Sequence, residues 1–479
     1  MNYSIIRYII GWILRFESIF LCLPAMVGLL YKEKHCFAYV AVAVLCFLLS
    51  YLLTKKKPTN KQLYVKDGFI VVALGWIVMS FFGAIPFTMT GDIPSFVDAF
   101  FESVSGFTTT GASILSDVEA LSHANLFWRS FTHWIGGMGV FVFLMAVMPL
   151  FGGSTMNLMK AESTGPSVDK LVPKVKDTAK ILYGIYIFLT IVEIILLVLF
   201  KMPLFDAICT SFGTTGTGGF GIKGDSLASY SSSIQYIVAI FMILSGINYS
   251  MYFLLLRRKW KQLLKLEEVW WYLGLIGVFT VIIFLKIKEC YPTVEEAFRH
   301  TIFQIASIIT STGFATTDFN LWPSLASMSL IVIMFIGACA GSTGGGIKVS
   351  RVLILSKSIK KEFSYLMHPQ EIKKIRLNGQ VVAHNAIRST NVFLSIHIIM
   401  LVIGTLLISV DGQNFTTNFT ATLTTLNNMG PGLDMVGPAG NFGFYSIFSK
   451  LILSFNMLAG RLELFPILLL LFPGCYKKH

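Results

Sequence analysis

Four short stretches of glycine, hydroxyl and amide residues carry the chemistry this sequence offers: Thr108-Thr109-Thr110-Gly111, Gly216-Thr217-Gly218-Gly219, Thr310-Ser311-Thr312-Gly313 and Asn427-Asn428-Met429-Gly430. None brings a nucleophile together with a base, and none has metal-ligand spacing. What they do supply is backbone carbonyl oxygen. A dehydrated monovalent cation needs several oxygen dipoles in place of its water shell, and carbonyls from four chain segments provide them where the backbone turns them inward. Glycine permits that turn because it lacks a Cβ. One glycine closes each stretch. Phe220 and Phe314 follow Gly219 and Gly313, which favours Gly219 over Gly218 as the closing residue, with a one-residue shift left open. The candidate ion-coordinating set is therefore Thr109, Thr110, Gly111, Gly218, Gly219, Ser311, Thr312, Gly313, Asn428, Met429 and Gly430.

An acid follows each stretch at nearly constant offset: Asp117, Asp225, Asp318 and Asp434. Together they would form a carboxylate ring at an outer mouth, concentrating cations by a field that salt weakens; ordinary solvated turn acids are the plainer alternative. The run Gly341-Ser342-Thr343-Gly344-Gly345-Gly346, with Lys348 after it, interrupts an apolar segment, since consecutive glycines cost nearly 1 kcal/mol each in a helix. It suits a flexible flap beneath the four stretches, or close packing of small residues between helices. Arg461 lies inside the last apolar segment, where a charge costs about 2.5–3.5 kcal/mol. It either pairs with Glu463 or snorkels, or else places a positive barrier in a cation path. Gly216, Gly218 and Gly221 match a dinucleotide-binding spacing without a βαβ setting, and the lysine after the 341–346 run falls one place late for a phosphate-binding loop.

The elements that position these residues must lie in a membrane. Of 479 residues, 54% are hydrophobic and only 13% charged, far from the roughly 25% charge of a soluble domain. Charge-free windows run over 35–54, 68–91, 130–159, 226–256, 319–347 and 389–410, each with the roughly 20 residues a helix needs to cross the hydrocarbon. The net charge of +13 reflects topology and not nucleic acid, because the basic runs lack the aromatic interleaving that stacks bases. Basic residues gather at 55–66, 160–180, 257–265, 348–376 and 477–478, which the positive-inside rule assigns to the cytoplasm together with both termini. Seven scattered cysteines, with no C-x-x-C pair, indicate neither disulfides nor zinc. The apolar start reads as a first helix and not a removed signal peptide.

One unit repeats four times: a span, a half-length apolar segment, a glycine stretch, a second span. The half-length segments fall at 95–107, 204–213, 294–308 and 415–425; the second spans at 130–152, 233–256, 324–366 with its interruption, and 443–473. Non-helical backbone at membrane depth needs a protein-lined cavity, and four such stretches need a shared one. The expected fold is an all-α polytopic membrane protein with four helix–pore-loop–helix repeats (59–160, 161–262, 263–380, 381–479) around a pseudo-fourfold pore, plus an N-terminal helix pair (1–58). No enzyme is expected. A secondary transporter with a midplane site between inverted repeats is the competing class, disfavoured because a basic loop precedes every unit.

Ser105-Gly-Phe-Thr-Thr-Thr-Gly111, Ser311-Thr-Gly313-Phe, Asn427-Asn-Met-Gly430-Pro-Gly432, Ala340-Gly-Ser-Thr-Gly-Gly-Gly346-Ile-Lys348 and Gly460-Arg461-Leu-Glu463 occur in this order except that the fourth precedes the third along the chain. In them the chain resembles, over nearly its whole length, the Trk/Ktr/HKT superfamily of potassium-translocating proteins, and most closely the TrkH-type membrane subunit. The resemblance implies potassium uptake across the cytoplasmic (inner) membrane, with potassium as the transported ion and no organic cofactor in this chain. It implies a homodimer with one pore per subunit, filter glycines at Gly111, Gly219, Gly313 and Gly430, and a gating loop at 341–346 with Arg461 beneath the filter. It also implies a cytoplasmic TrkA-like nucleotide-binding regulatory ring. Channel-like flow and sodium- or proton-coupled symport both stay open, a sodium/potassium-coupled secondary transporter being the alternative.

Overall fold

Long apolar runs in lipid leave the backbone amides no partner but their own chain, and helices result. The computed structural model describes residues 1–58, 64–147, 175–371 and 373–476, and these are helical apart from loops and one hairpin, Arg376–Leu377 against Gln380–Val381. That hairpin departs from an all-α expectation. Its turn, Asn378-Gly379, has positive φ at both residues (53° and 79°), the conformation a two-residue hairpin loop demands and Asn-Gly supplies. The basic residues between 160 and 174, those at 477–478 and Lys61 lie outside the described residues, as does the stretch 148–152 of the predicted span 130–152.

Two helices, Tyr3–Leu30 and Cys36–Thr54, pack on each other and on a third, Val65–Thr90. That third helix is the first of four outer helices, the others being Val175–Leu199, Glu267–Ile287 and His384–Ile408. Each leads to a short helix where a pore helix is expected: Phe96–Phe107, Leu204–Gly216, Val294–Ile309 and Phe415–Leu426. Three pore helices begin at a side-chain cap that satisfies an orphan amide: Ser95 accepts from Asp98 N, Thr293 from Glu296 N and Asn414 from Thr417 N. The second starts directly after Pro203.

The inner helices differ from sequence expectation. His123–Val147 runs unbroken, but the predicted span 233–256 is two helices, Ser232–Ser245 and Tyr249–Leu256, bent by 90°. The third is Ser324–Ile336 and Val349–Met367 on either side of the glycine run, and the predicted span 443–473 breaks after Ile447–Arg461 and resumes as Phe465–Leu470. Six described helices are long and apolar enough to cross a membrane, or seven if the bent pair counts as one span. Large apolar side chains face outward along them, Leu52 at 64% and Val402 at 62% exposure, whereas Thr110, Gln304 and Thr425 are fully buried. That arrangement puts polar groups inside and hydrocarbon outside, as a lipid solvent requires.

Candidate functional site

All four pore helices end the same way. The residue just before each closing glycine donates its amide to a carbonyl five positions upstream: Thr110 to Ser105, Gly218 to Gly213, Thr312 to Ser307, Met429 to Thr424, at 2.8–2.9 Å. The residue before that donates three positions upstream, Thr109 to Gly106, Thr217 to Thr214, Ser311 to Ile308, Asn428 to Thr425. These paired bonds form the Schellman ending, which needs a left-handed residue; Thr109, Thr217, Ser311 and Asn428 supply it, with φ between 52° and 55°. Two places on, Gly111, Gly219 and Gly313 have φ of 80°, 74° and 90°. The common pattern puts Gly219, and not Gly218, level with Gly111. Gly430 has no positive φ and is followed by Pro431 instead.

The four endings meet in cyclic order. A Cβ on Gly111 would strike the carbonyl of Gly218, one on Gly219 the carbonyl of Thr312, one on Gly313 would lie 3.0 Å from Pro431 Cδ, and one on Gly430 2.7 Å from Gly111 O. Glycine is required here because each backbone approaches the next. Asn428 Nδ2 joins the last stretch to the first through Thr110 Oγ1 at 3.1 Å. Hydroxyls brace the first and third stretches alike, Thr108 to Thr110 at 2.8 Å and Thr310 to Thr312 at 2.7 Å. A cavity of about 130 Å³ opens over this ring, and all four glycines line it.

Sequence reasoning missed what anchors the cavity wall. Arg129, 2% exposed, forms an ion pair with the equally buried Glu102 at 2.8 Å. Glu102 also accepts from Ser113 Oγ and Ile114 N, while Arg129 donates to Gly221 O and lies 4.1 Å from the Phe220 ring centre. One pair thus ties the chain leaving the first glycine to the chain leaving the second. His133 makes a similar bridge: Nδ1 is 2.9 Å from Gly106 O and Nε2 accepts from Phe220 N at 3.2 Å. The available hint lay in cost, since Arg129 directly precedes a long charge-free run where a charge is expensive unless paired.

None of the four acids is among the cavity's lining residues; Asp117, Asp225 and Asp318 lie on loops and Asp434 opens a short 3-10 turn. Asp117 accepts from Glu119 N, Asp318 from Asn320 N, Asp225 from Ser229 Oγ, and Asp434 from Thr417 Oγ1.

Below the ring lies the 341–346 run. A Cβ on Gly344 would lie 2.7 Å from Thr310 O, and one on Gly345 would strike Asn427 O, so the loop touches the base of two stretches. Ser342 donates to Cys339 O and Thr343 to Ser245 O, while Lys348, with φ of 84°, turns back to donate to Gly344 O. At Gly346, with φ of 85°, a Cβ would meet Gly337 Cα at 2.8 Å. The loop fills the bend in the second inner helix, with Cys339 N donating to Gly246 O and Tyr249 N to Gly341 O. Glu268 holds it from the side, accepting from Ala340 N at 2.6 Å and Ser350 N at 3.2 Å. Arg461 donates to Thr343 O at 2.9 Å, to Thr109 Oγ1 at 3.3 Å and to Gly136 O. Glu463 pairs instead with Arg351.

Both the sequence and the fold have known counterparts. The family model TrkH, described as a cation transport protein, matches residues 35–288 and 269–473. The Trk system potassium uptake protein TrkH of Salmonella typhimurium is 35% identical over 100% of both chains. TrkG of Escherichia coli is 34% identical over 100% of both, and TrkH of Vibrio parahaemolyticus 36% over 99% of both. The crystal structure of the potassium transporter TrkH from Vibrio parahaemolyticus superposes with a TM-score of 0.88 at 32% identity, covering 100% of each chain.

Proposed function

The chain belongs to the TrkH family of cation transport proteins, a multi-pass membrane transporter and not an enzyme, and from that premise we propose that it carries potassium into the cell through a carbonyl-lined filter. The observation that carries this reading is the cyclic closure on one cavity of four helix endings that share one hydrogen-bond pattern. Four helix–pore-loop–helix repeats around a pseudo-fourfold axis account for it. Thr109, Thr110, Gly111, Gly218, Gly219, Ser311, Thr312, Gly313, Asn428, Met429 and Gly430 contribute the oxygen ligands. The negative ends of the four pore-helix dipoles point at the same place, which favours a cation there.

In this reading the 341–346 loop is the gate. It blocks the path under the filter, Lys348 stabilises its turn, and Arg461 latches it while adding a positive barrier. Asp117, Asp225, Asp318 and Asp434, engaged in turns, act on the outer mouth only through their long-range field. The relatives are named as parts of a Trk system, which supports association with further components of such a system; in this reading the chain is a homodimer on a cytoplasmic nucleotide-binding regulatory ring of the TrkA type, with both termini cytoplasmic in the inner membrane.

The test is potassium and sodium flux through purified protein in liposomes, wild type against Gly313→Ser. At φ 90°, with Pro431 at 3.0 Å, a serine side chain displaces the carbonyls around it. The expected result is a clear fall in potassium preference at normal protein level. Unchanged selectivity would count decisively against the carbonyl filter.

A further inference from the structure

A second, larger cleft of about 1010 Å³ lies between the linker after the second unit and the Asn378-Gly379 hairpin. Its floor is apolar, formed by residues such as Leu254, Ile354 and Leu377, and its walls include Trp270, Trp271 and Lys265. Both tryptophans are about half exposed and stand near the start of the third outer helix; Ala386 places the first turn of the fourth outer helix on the same cleft. Two membrane spans begin here, so the cleft sits at headgroup depth, where tryptophan is enriched.

The charge around it is one-sided. Residues 257–265 hold Arg257, Arg258, Lys259, Lys261 and Lys265 with no acid among them, all exposed and none in an ion pair among the described residues. The one acid that lines the cleft, Glu267, is already paired with Lys357. Gln262 and Gln380 add neutral donors at the rim. A strip of apolar floor, two interfacial indoles and one lining lysine, Lys265, with four more cations just upstream in the same segment, match a lipid with a negative headgroup better than a zwitterionic one.

We propose that this cleft binds an anionic phospholipid, its headgroup phosphate against Lys265 and the neighbouring basic run and its acyl chains along Trp270, Trp271 and Leu254. Glu268, next along the helix from Glu267, holds the loop under the filter, so the bound lipid lies one residue from the loop's lateral anchor. The binding itself does not rest on the potassium reading.

The test uses the full chain in vesicles containing brominated-acyl phosphatidylglycerol or brominated-acyl phosphatidylcholine. Tryptophan quenching is taken as the difference between wild type and the Trp270→Leu/Trp271→Leu variant. The expected difference signal is quenched several-fold more by phosphatidylglycerol; Lys265→Gln brings the two lipids towards equality and Lys265→Arg restores the preference. Equal quenching in the wild type, or a preference untouched by Lys265→Gln, overturns the proposal. So does a cleft that shows no phosphatidylglycerol preference but loses a purified regulatory subunit on Lys265→Gln, which would assign the surface to a protein partner. Flux need not change for any of these outcomes to be read.

Discussion

Thr109 and Thr217 are β-branched residues held in the left-handed conformation, which costs on the order of 1–3 kcal/mol each, and the ring makes use of both. Thr109 Oγ1 accepts from Arg461 and Thr217 Oγ1 donates to Gly216 O, contacts a glycine at these positions could not make. The Glu102–Arg129 pair is the other residue-scale investment. Arg129→Gln leaves Glu102 buried without its cation and is expected to cost about 3–5 kcal/mol, read as a lowered Tm of the purified protein. The double variant Glu102→Gln/Arg129→Gln is expected to recover part of that loss, and a double variant no better than Arg129→Gln would argue that the charges do not act as a pair. The closing glycines were legible in the sequence because their spacing repeats. The pair was not, since two charges on separate elements 27 residues apart carry no local signal of meeting.

At the scale of elements, three of the four inner helices break at the level just beneath the ring. The third break was legible from its glycines. The second was not, because Gly246 is a single glycine in an apolar run; the 90° bend is stabilised from outside, by loop groups bonding Gly246 O and Tyr249 N and by Asn248, whose side chain caps the next helix at Ser250 N. The fourth carried a local signal that went unused: Pro466 stands in the first turn of the resuming helix and has no N–H with which to continue the preceding one, while Glu463 and Leu464 take positive φ where Glu463 reaches Arg351. Deleting 341–346 is expected to raise potassium flux in liposomes, and a lower or unaltered rate at normal protein level would sink the gate. Glu268→Ala leaves the amides of Ala340 and Ser350 without their acceptor, and a smaller rise in flux is expected from it, measured in the same assay.

For the whole molecule, the basic loops predict which side faces the cytoplasm. Cys290, exposed between the third outer and third pore helices, then faces outward. A membrane-impermeant maleimide applied to intact cells is expected to label the protein, and Cys290→Ser is expected to abolish the signal; labelling from the cytoplasmic side alone would invert the topology. That the chain is a multi-span helical membrane protein was readable from composition and charge spacing, because hydrocarbon imposes one length on every span; the number of helices was not, since three predicted spans are broken in two. Which unit touches which was not, because all four carry nearly the same pattern.

The hydrogen bond from Asn428 to Thr110 spans 318 residues, and it makes the ring a late event in the life of the chain. A ribosome must finish the fourth unit before the first can be closed. Until then three quarters of a polar collar wait in the bilayer with one side open, and contacts of such separation form slowly. A nascent chain that stalls before Asn428 would therefore leave that side of the collar open.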